Sequence, residues 1–376
     1  MNIMFLTGGG DYAGAKTHLL NITKELKDNV NLNVVCFNDG EFYRAAKDME
    51  IPVTLIDQKV RFDISVLIDL YKAIREHKPD IIHCHGAKPN WWMFFIRFFS
   101  RAKSVTTIHS DYRRDFEDNK YKHIYYTFLN SFALRFFKNF IAVSDEFKDM
   151  LEQRGFGKKN IYVIYNCINE KDVKIEGISR EEALTRRNMD VGLAKKKCVG
   201  ILARLEKVKG VDVFINGAEE LLKMRDDVHF FIAGDGTQRK ELEKLIESKG
   251  LNENITMIGF THKPFDFINI LDVNTLTSHS ESFPYSLLEG AMLKKRTVAA
   301  NVGGVKNLIK DDETGELFKA GDAKDFAKKV DRVLNSDTNY GENLYKYTKE
   351  NFSEKAMLKM HMDIYSSILE GKDGKK

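Results

Sequence analysis

The sequence predicts an α/β protein made of two Rossmann-like, doubly wound parallel-sheet domains. Three observations carry this. Short buried-strand patterns alternate with amphipathic helical stretches at the spacing of βαβ units. The alternation occurs twice, in two series with the same grammar, parted by a polar stretch with little periodicity over 171–197. And at 376 residues the chain exceeds one ordinary hydrophobic core and accommodates two.

Residues 1–6 read as a strand, Thr7-Gly8-Gly9-Gly10 as a flexible turn, 11–15 as a loop, and 16–26 as a helix with Leu19, Leu20, Ile22 and Leu26 facing inward. A strand, a glycine-rich loop and a helix can admit a phosphate. The loop is not GxGxxG, however, and lacks the GK[ST] ending of a nucleotide P-loop. Strands follow over 31–37, 53–56, 80–84, 104–109, 139–143 and 161–164, with helices over 41–49, 64–77 and 121–137. The second series has strands over 198–203, 229–233, 255–258, 273–276 and 316–318, with helices over 211–224, 238–249 and 323–334. A helical tail over 342–369 is long enough to return to the first domain. The expected organisation is a first domain over 1–170, a linker over 171–197 with one short helix (180–187), a second domain over 198–345, and a C-terminal helix over 346–376 that crosses back.

Composition narrows the function. A net charge of +4 is small for this length and gives no reason to expect a nucleic-acid partner. The four cysteines lie far apart without CxxC or CxxH spacing, which fits buried thiols in a reducing cytoplasm rather than a metal cluster. The start, MNIMFLTGGG, lacks the basic region of a signal peptide, and no run approaches the length of a membrane span. A cytoplasmic location is expected. One segment stands out: 88–140 holds ten Lys/Arg against four Asp/Glu and includes the run NWWMFFIRFF. Basic residues interleaved with aromatic ones suit peripheral attachment to an anionic membrane. The competing reading places most of these rings in the domain core.

The stretch 277–304 of the second series concentrates the chemistry. A strand ends at Leu276, a polar turn follows, and Pro284 opens a helix through Leu287, Leu288 and Met292. The free amides at such a helix start favour an anion. Glu281 before the helix and Glu289 in its second turn cannot hold a phosphate, but a carboxylate can accept from two sugar hydroxyls; first-turn dipole complement is the alternative for Glu281. Arg204, Lys207 and Lys209 lie in the turn after the first strand of the same domain, where a guanidinium fork and an ammonium can neutralise a diphosphate. In the first domain His83, His85 and His109 fall at strand ends, where parallel sheets bind ligands. A core histidine bonded to a backbone carbonyl is the alternative for each. HxH could suggest zinc, yet no third ligand completes a set, and no metal is expected.

Taken together, these motifs resemble the retaining, GT-B-fold nucleotide-sugar glycosyltransferases of family four, over essentially the whole chain. The carrying residues are Glu281-x7-Glu289, Ala203-Arg204-Leu205-x3-Lys209-Gly210, Gly234-Asp235-Gly236, Gly259-Phe260, and Gly303-Gly304 before Val305. The resemblance implies two domains facing across a cleft that closes over the donor, and transfer from a nucleoside-diphosphate sugar, a UDP-sugar first, to a glycan or lipid-linked acceptor. Arg204 and Lys209 would contact the diphosphate, Glu289 the ribose hydroxyls, and Glu281 the transferred sugar. Gly234 and the backbone around Phe283 and Ser286 would complete the donor site. His109 would approach the sugar near the reacting carbon, and the loop with Gly9, Gly10 and Gly14 would line the acceptor side. No metal or other cofactor is implied.

Three motifs depart from the family. Ala13-Gly14-Ala15-Lys16 replaces Gly-Gly-x-Glu, which bears on the acceptor. Asn166-Cys167 replaces Asn-Gly, and Glu289-Gly290-Ala291-Met292 replaces Glu-Ala-Met, putting glycine inside a helix at a cost of about 1 kcal/mol. A nucleotide-sugar epimerase of the same fold and a non-catalytic nucleotide-sugar-binding partner of a synthase are the competing functions. A dinucleotide oxidoreductase is opposed by the missing GxGxxG.

Overall fold

The apolar runs form strands because neighbours cover them on both faces, which only a parallel sheet with crossover helices provides. The computed structural model describes residues 1–9, 13–58, 63–111, 113, 120–173, 179–186 and 189–371. The chain divides into two compact units, Met1–Cys167 with Glu354–Lys376, and Ile168–Ser353.

The first unit holds β1 (Asn2–Thr7), β2 (Asn31–Cys36), β3 (Val53–Leu55), β4 (Ile81–His85), β5 (Lys103–Ile108), β6 (Asn139–Ala142) and β7 (Asn160–Val163). They form one parallel sheet in the order β3-β2-β1-β4-β5-β6-β7. Alternate residues of β1 feed opposite cores. Met4 and Leu6 join Ile82, Trp92 and Phe140 on one face, while Ile3 and Phe5 join Leu19, Ile81 and Tyr365 on the other. The second unit holds β8 (Lys197–Leu202), β9 (Val228–Ala233), β10 (Ile255–Gly259), β11 (Val273–Leu276), β12 (Arg296–Ala300) and β13 (Glu316–Phe318), all parallel in the order β10-β9-β8-β11-β12-β13.

Several elements differ from expectation. The first helix runs Ala13–Leu26, so Gly14 lies in its first turn rather than in a loop. Helix Ala87–Ile96 has no sequence signature because it is apolar all round. Helix Asp145–Leu151 did carry one, since Ser144 caps it by accepting the Phe147 amide at 3.3 Å and Asp145 and Glu146 fill its first turn. The segment expected as a linker packs into the second unit, burying Ala183 and Leu184 with Phe231, Phe267 and Leu271. The tail is two helices, Tyr340–Asn351 in the second unit and Glu354–Glu370 in the first. It breaks at Phe352, whose ring packs 4.8 Å from Phe283 and whose carbonyl accepts the Ile168 amide at 3.0 Å. Among the described residues, no helix is long and apolar enough to cross a membrane.

Candidate functional site

The winding of the second sheet reverses at β8: β9 and β10 lie on one side of it, β11 to β13 on the other. The loops after β8 and β11 therefore leave the carboxyl edge side by side, where open parallel sheets take ligands. They are laced together. Thr277 Oγ1 donates to the Gly210 carbonyl at 2.8 Å and the His279 amide to the Val208 carbonyl at 2.8 Å. Gly210 sits at φ +58, and a Cβ there would lie 2.2 Å from the Thr277 carbonyl oxygen, so the seam needs glycine.

Across this seam Lys209 Nζ reaches Glu281 Oε1 at 2.6 Å, with 20% and 8% of the two side chains exposed. Ser278 Oγ donates to the same oxygen at 2.6 Å. Among the described residues Oε2 has no donor, so it is the atom left for a ligand hydroxyl. Arg204 is exposed, and among the described residues its guanidinium has no ion pair. The site thus pairs one cation with a carboxylate and leaves the other open to an anion.

Glu289 lies in the helix Tyr285–Met292 with no side-chain partner among the described residues. Its surface is only partly covered, yet burial of the carboxyl lifts its pKa to about 7. Gly234 and Phe283, both expected at the donor from the sequence, differ from Arg204 and Lys209 in offering no charged side chain. Gly234 has φ +139, and a Cβ there would stand 1.8 Å from the Ala203 carbonyl oxygen, so it lets the turn after β9 lie on the Arg204 loop. The Phe283 ring is core and packs on Phe352. Ser286 is partly exposed, and its carbonyl accepts Asn274 Nδ2 at 2.9 Å.

That last bond explains Gly290. A Cβ at Gly290 would stand 2.3 Å from Asn274 Nδ2, so the buried amide occupies the space an alanine methyl would need. Gly290→Ala is expected to destabilise by about 1–3 kcal/mol, the overpacking cost outweighing the better helix propensity. In an Asn274→Ala background the same change should stabilise by about 1 kcal/mol, because only the propensity gain remains. Urea melts of the four proteins check this; a Gly290→Ala effect of one sign in both backgrounds would refute the clash.

In the first unit the winding reverses between β1 and β4. Gly9, after β1, has φ +77 and lies so close to Gly40 that a Cβ on Gly40 would come within 1.8 Å of the Gly9 carbonyl oxygen. Gly10 lies outside the described residues. Lys16, where the family has glutamate, pairs with Glu41. His83 and His85, two apart on β4, share one face, with ring centroids 4.2 Å apart. His83 is a core histidine, but its partners are hydroxyls rather than a carbonyl: Tyr365 Oη and Thr107 Oγ1, each at 2.7 Å. His109, partly exposed after β5, meets His85 Nδ1 through its Nε2 at 3.1 Å. Asp111, two residues on, is gripped by both arms of Arg154 at 2.7 and 2.8 Å. His18 and His361 complete the group, with ring centroids 5.1 Å (His18–His109) and 6.2 Å (His83–His361) apart. Among the described residues no set of three or more His, Cys, Asp or Glu is arranged to hold a metal ion.

Sequence reasoning overlooked Ser278, Asn274, His18 and His361. Ser278 had a signal, three residues before Glu281 in a tight turn. The two histidines had none, because they reach the group from opposite ends of the chain.

Family models match both halves of the chain: Glycosyltransferase Family 4 over residues 12–172 and Glycosyl transferases group 1 over 188–351. An Alpha-D-kanosaminyltransferase from Streptomyces kanamyceticus is 34% identical over 145 residues, only 38% of either chain. The GalNAc-alpha-(1->4)-GalNAc-alpha-(1->3)-diNAcBac-PP-undecaprenol alpha-1,4-N-acetyl-D-galactosaminyltransferase of Campylobacter jejuni is 25% identical over 362 residues, 93% of each chain. The fold superposes on Anabaena Alr3699/HepE, solved in complex with UDP, with a TM-score of 0.81, 22% identity, and coverage of 98% of this chain and 100% of that one.

Proposed function

The chain belongs to glycosyltransferase family 4 and is a retaining transferase of GT-B fold; from that premise we propose that it moves a sugar from a UDP-sugar to a glycan or lipid-linked acceptor in cell-surface polysaccharide assembly. The observation that carries this is the Glu281 carboxylate, held through Oε1 by Lys209 and Ser278, with Oε2 unused among the described residues, together with the exposed Arg204 of the loop after β8. Such a group binds a sugar hydroxyl next to a diphosphate. UDP in the Anabaena structure and the undecaprenol-linked substrate in the Campylobacter name support the donor and acceptor classes.

In this reading Arg204 and Lys209 hold the diphosphate and supply the positive charge it needs as it departs, without a metal. Glu281 Oε2 accepts a hydroxyl of the sugar, Glu289 the ribose hydroxyls, and the Gly234 turn and the Phe283–Ser286 backbone shape the pocket. The sugar–phosphate bond breaks, the acceptor oxygen bonds the same face of the sugar, and the leaving phosphate takes the acceptor's proton. The resemblance assigns His109 to the sugar and Gly9, Gly10 and Gly14 to the acceptor side. The rate comes from positioning and charge stabilisation.

Titration calorimetry with UDP, GDP and ADP and their sugars tests the donor, and Glu289 adds a signature. A ribose hydroxyl favours the charged carboxylate, so binding lowers a pKa that stands at about 7 and releases a proton. Affinity should rise with pH up to about 7 and then level off, and Glu289→Gln should abolish the proton release. No binding by any of these compounds would remove the reading.

The attachment to anionic membrane proposed for 88–140 is narrowed by burial. Trp92, Met93 and Ile96 are core, whereas Phe98, Phe99 and Phe128 are 67, 62 and 70% exposed. The Arg97 guanidinium stacks 3.8 Å from the Phe136 ring centroid and 4.5 Å from that of Phe98, so a cation sits within the aromatic face. Exposed Tyr71, whose ring lies 6.1 Å from that of Phe99, extends it. Changing Phe98, Phe99 and Phe128 to serine should release the protein from liposomes rich in anionic lipid; co-sedimentation indifferent to lipid charge would defeat the proposal.

A further inference from the structure

The histidine group of the first unit enters the transfer chemistry at one point only, His109. His85 Nδ1 and His109 Nε2 lie 3.1 Å apart. Each ring, when neutral, carries one N–H, so one donates and the other accepts. What lies at the far nitrogens decides which. His85 Nε2 is buried without a partner. A proton there would be a buried donor with no acceptor, the rarer and costlier arrangement. A proton on Nδ1 instead makes the bond to His109 and leaves only a bare lone pair behind.

The same group accommodates that arrangement twice more. His361 Nδ1 faces the Met357 carbonyl oxygen at 3.0 Å, and His18 Nδ1 faces Asn166 Oδ1 at 3.2 Å. Both oxygens only accept, so both rings carry their proton on Nδ1. In both, Nε2 is buried and unpartnered. Burial of these rings disfavours the doubly protonated form that would blur the assignment.

We infer that His85 is a positioning residue: by donating from Nδ1 to His109 Nε2 it fixes the His109 proton on Nδ1. His109 then presents a hydrogen-bond donor and has no free lone pair with which to act as a base. Among the described residues His109 Nδ1 has no partner, so it is the edge available to a ligand oxygen. This rests on the placement of His109 at the sugar proposed above. It also accords with that chemistry, in which the leaving phosphate, not a side chain, takes the acceptor's proton.

The test is a long-range 1H–15N spectrum of the full chain labelled at histidine, with His109 identified by its loss in His109→Gln. The expected result is a proton on Nδ1 of His109. In His85→Leu it should move to Nε2, and kcat should fall by about tenfold to a hundredfold with little change in KM, as when the partner that orients a site residue is lost. His85→Asn, whose amide can supply the missing donor, should restore both the tautomer and the rate. A His109 proton on Nε2 in the unmodified protein overturns the inference, whether or not His85→Leu folds. Undiminished turnover in His109→Ala overturns the functional half and the placement of His109, independently of the spectrum.

Discussion

Lys209→Ala is expected to lower kcat/KM by about 10²–10³, the usual result of removing one charged or oriented donor from a site where charge develops. Two losses combine. The proposed diphosphate loses a cation, and Glu281 loses the partner 2.6 Å away that holds its largely buried carboxylate. Glu281→Gln should be similarly damaging, since it keeps the shape and the Ser278 contact but removes the charge. Because the two side chains form one unit, the double variant should be scarcely worse than either single one, a strongly non-additive cycle. A surface ion pair would behave otherwise: each change would be mild and the effects would add. The fold should hold in all three, with thermal midpoints moved by only a few degrees per kcal/mol in a unit of this size. Full activity in either single variant, or additive losses, would overturn the assignment of this pair to the donor.

How much of this was legible beforehand follows from what kind of signal each feature leaves. The strands and their alternation were readable because a parallel strand is apolar on both faces and its crossover helix on one, and these periods survive in any sequence. Helix Ala87–Ile96 escaped because it buries Trp92, Met93 and Ile96 while turning Trp91, Phe94 and Phe95 toward less covered ground, leaving no polar face to mark it. At the carboxyl edge of the second sheet, residue types and spacing singled out Arg204, Lys209, Glu281 and Glu289, but not their pairing: that the ammonium of Lys209 lies on Glu281, while Arg204 has no ion pair among the described residues, is a matter of distance, which no motif encodes. Gly290 shows the reverse case. As a sequence it was an unexplained cost inside a helix, and its cause, Asn274, lies on a neighbouring strand sixteen positions away. The histidine group is the extreme: its members lie between positions 18 and 361, and only the return of the last helix to the first sheet assembles them.

That group should make the first unit unusually sensitive to acid. Burial holds the pKa of His18 down to about 4 and that of His361 down to about 3, and burial and then neighbouring histidines hold His83 and His85 well below the ordinary value. The direction of the linkage is fixed by these depressions. Above about 6.5 the rings are neutral whether the chain is folded or not, and their contribution to stability is complete. As pH falls below that value the unfolded chain takes up protons that the folded unit refuses, so stability drops, and it goes on dropping until the folded pKa values are reached. For His18 alone, a depression from 6.5 to about 4 is on the order of 3 kcal/mol. The depressions of His361, His83 and His85 act in the same direction, against a margin of about 5–15 kcal/mol for an ordinary domain. The second unit has one comparable residue, His229, held at about 4. Both tryptophans of the chain, Trp91 and Trp92, lie in the first unit, so their fluorescence follows that unit alone. Urea melts read by tryptophan emission should therefore give midpoints steady from pH 8 to 7 that collapse between about 6 and 4.5. Melts read by circular dichroism should retain a second, less pH-dependent transition. His361→Asn, which removes one titrating ring, should flatten the fluorescence slope by about one proton. A fluorescence midpoint that stays constant down to about pH 5 would mean the rings are not buried and neutral together, and His85 would then not hold the His109 proton on Nδ1.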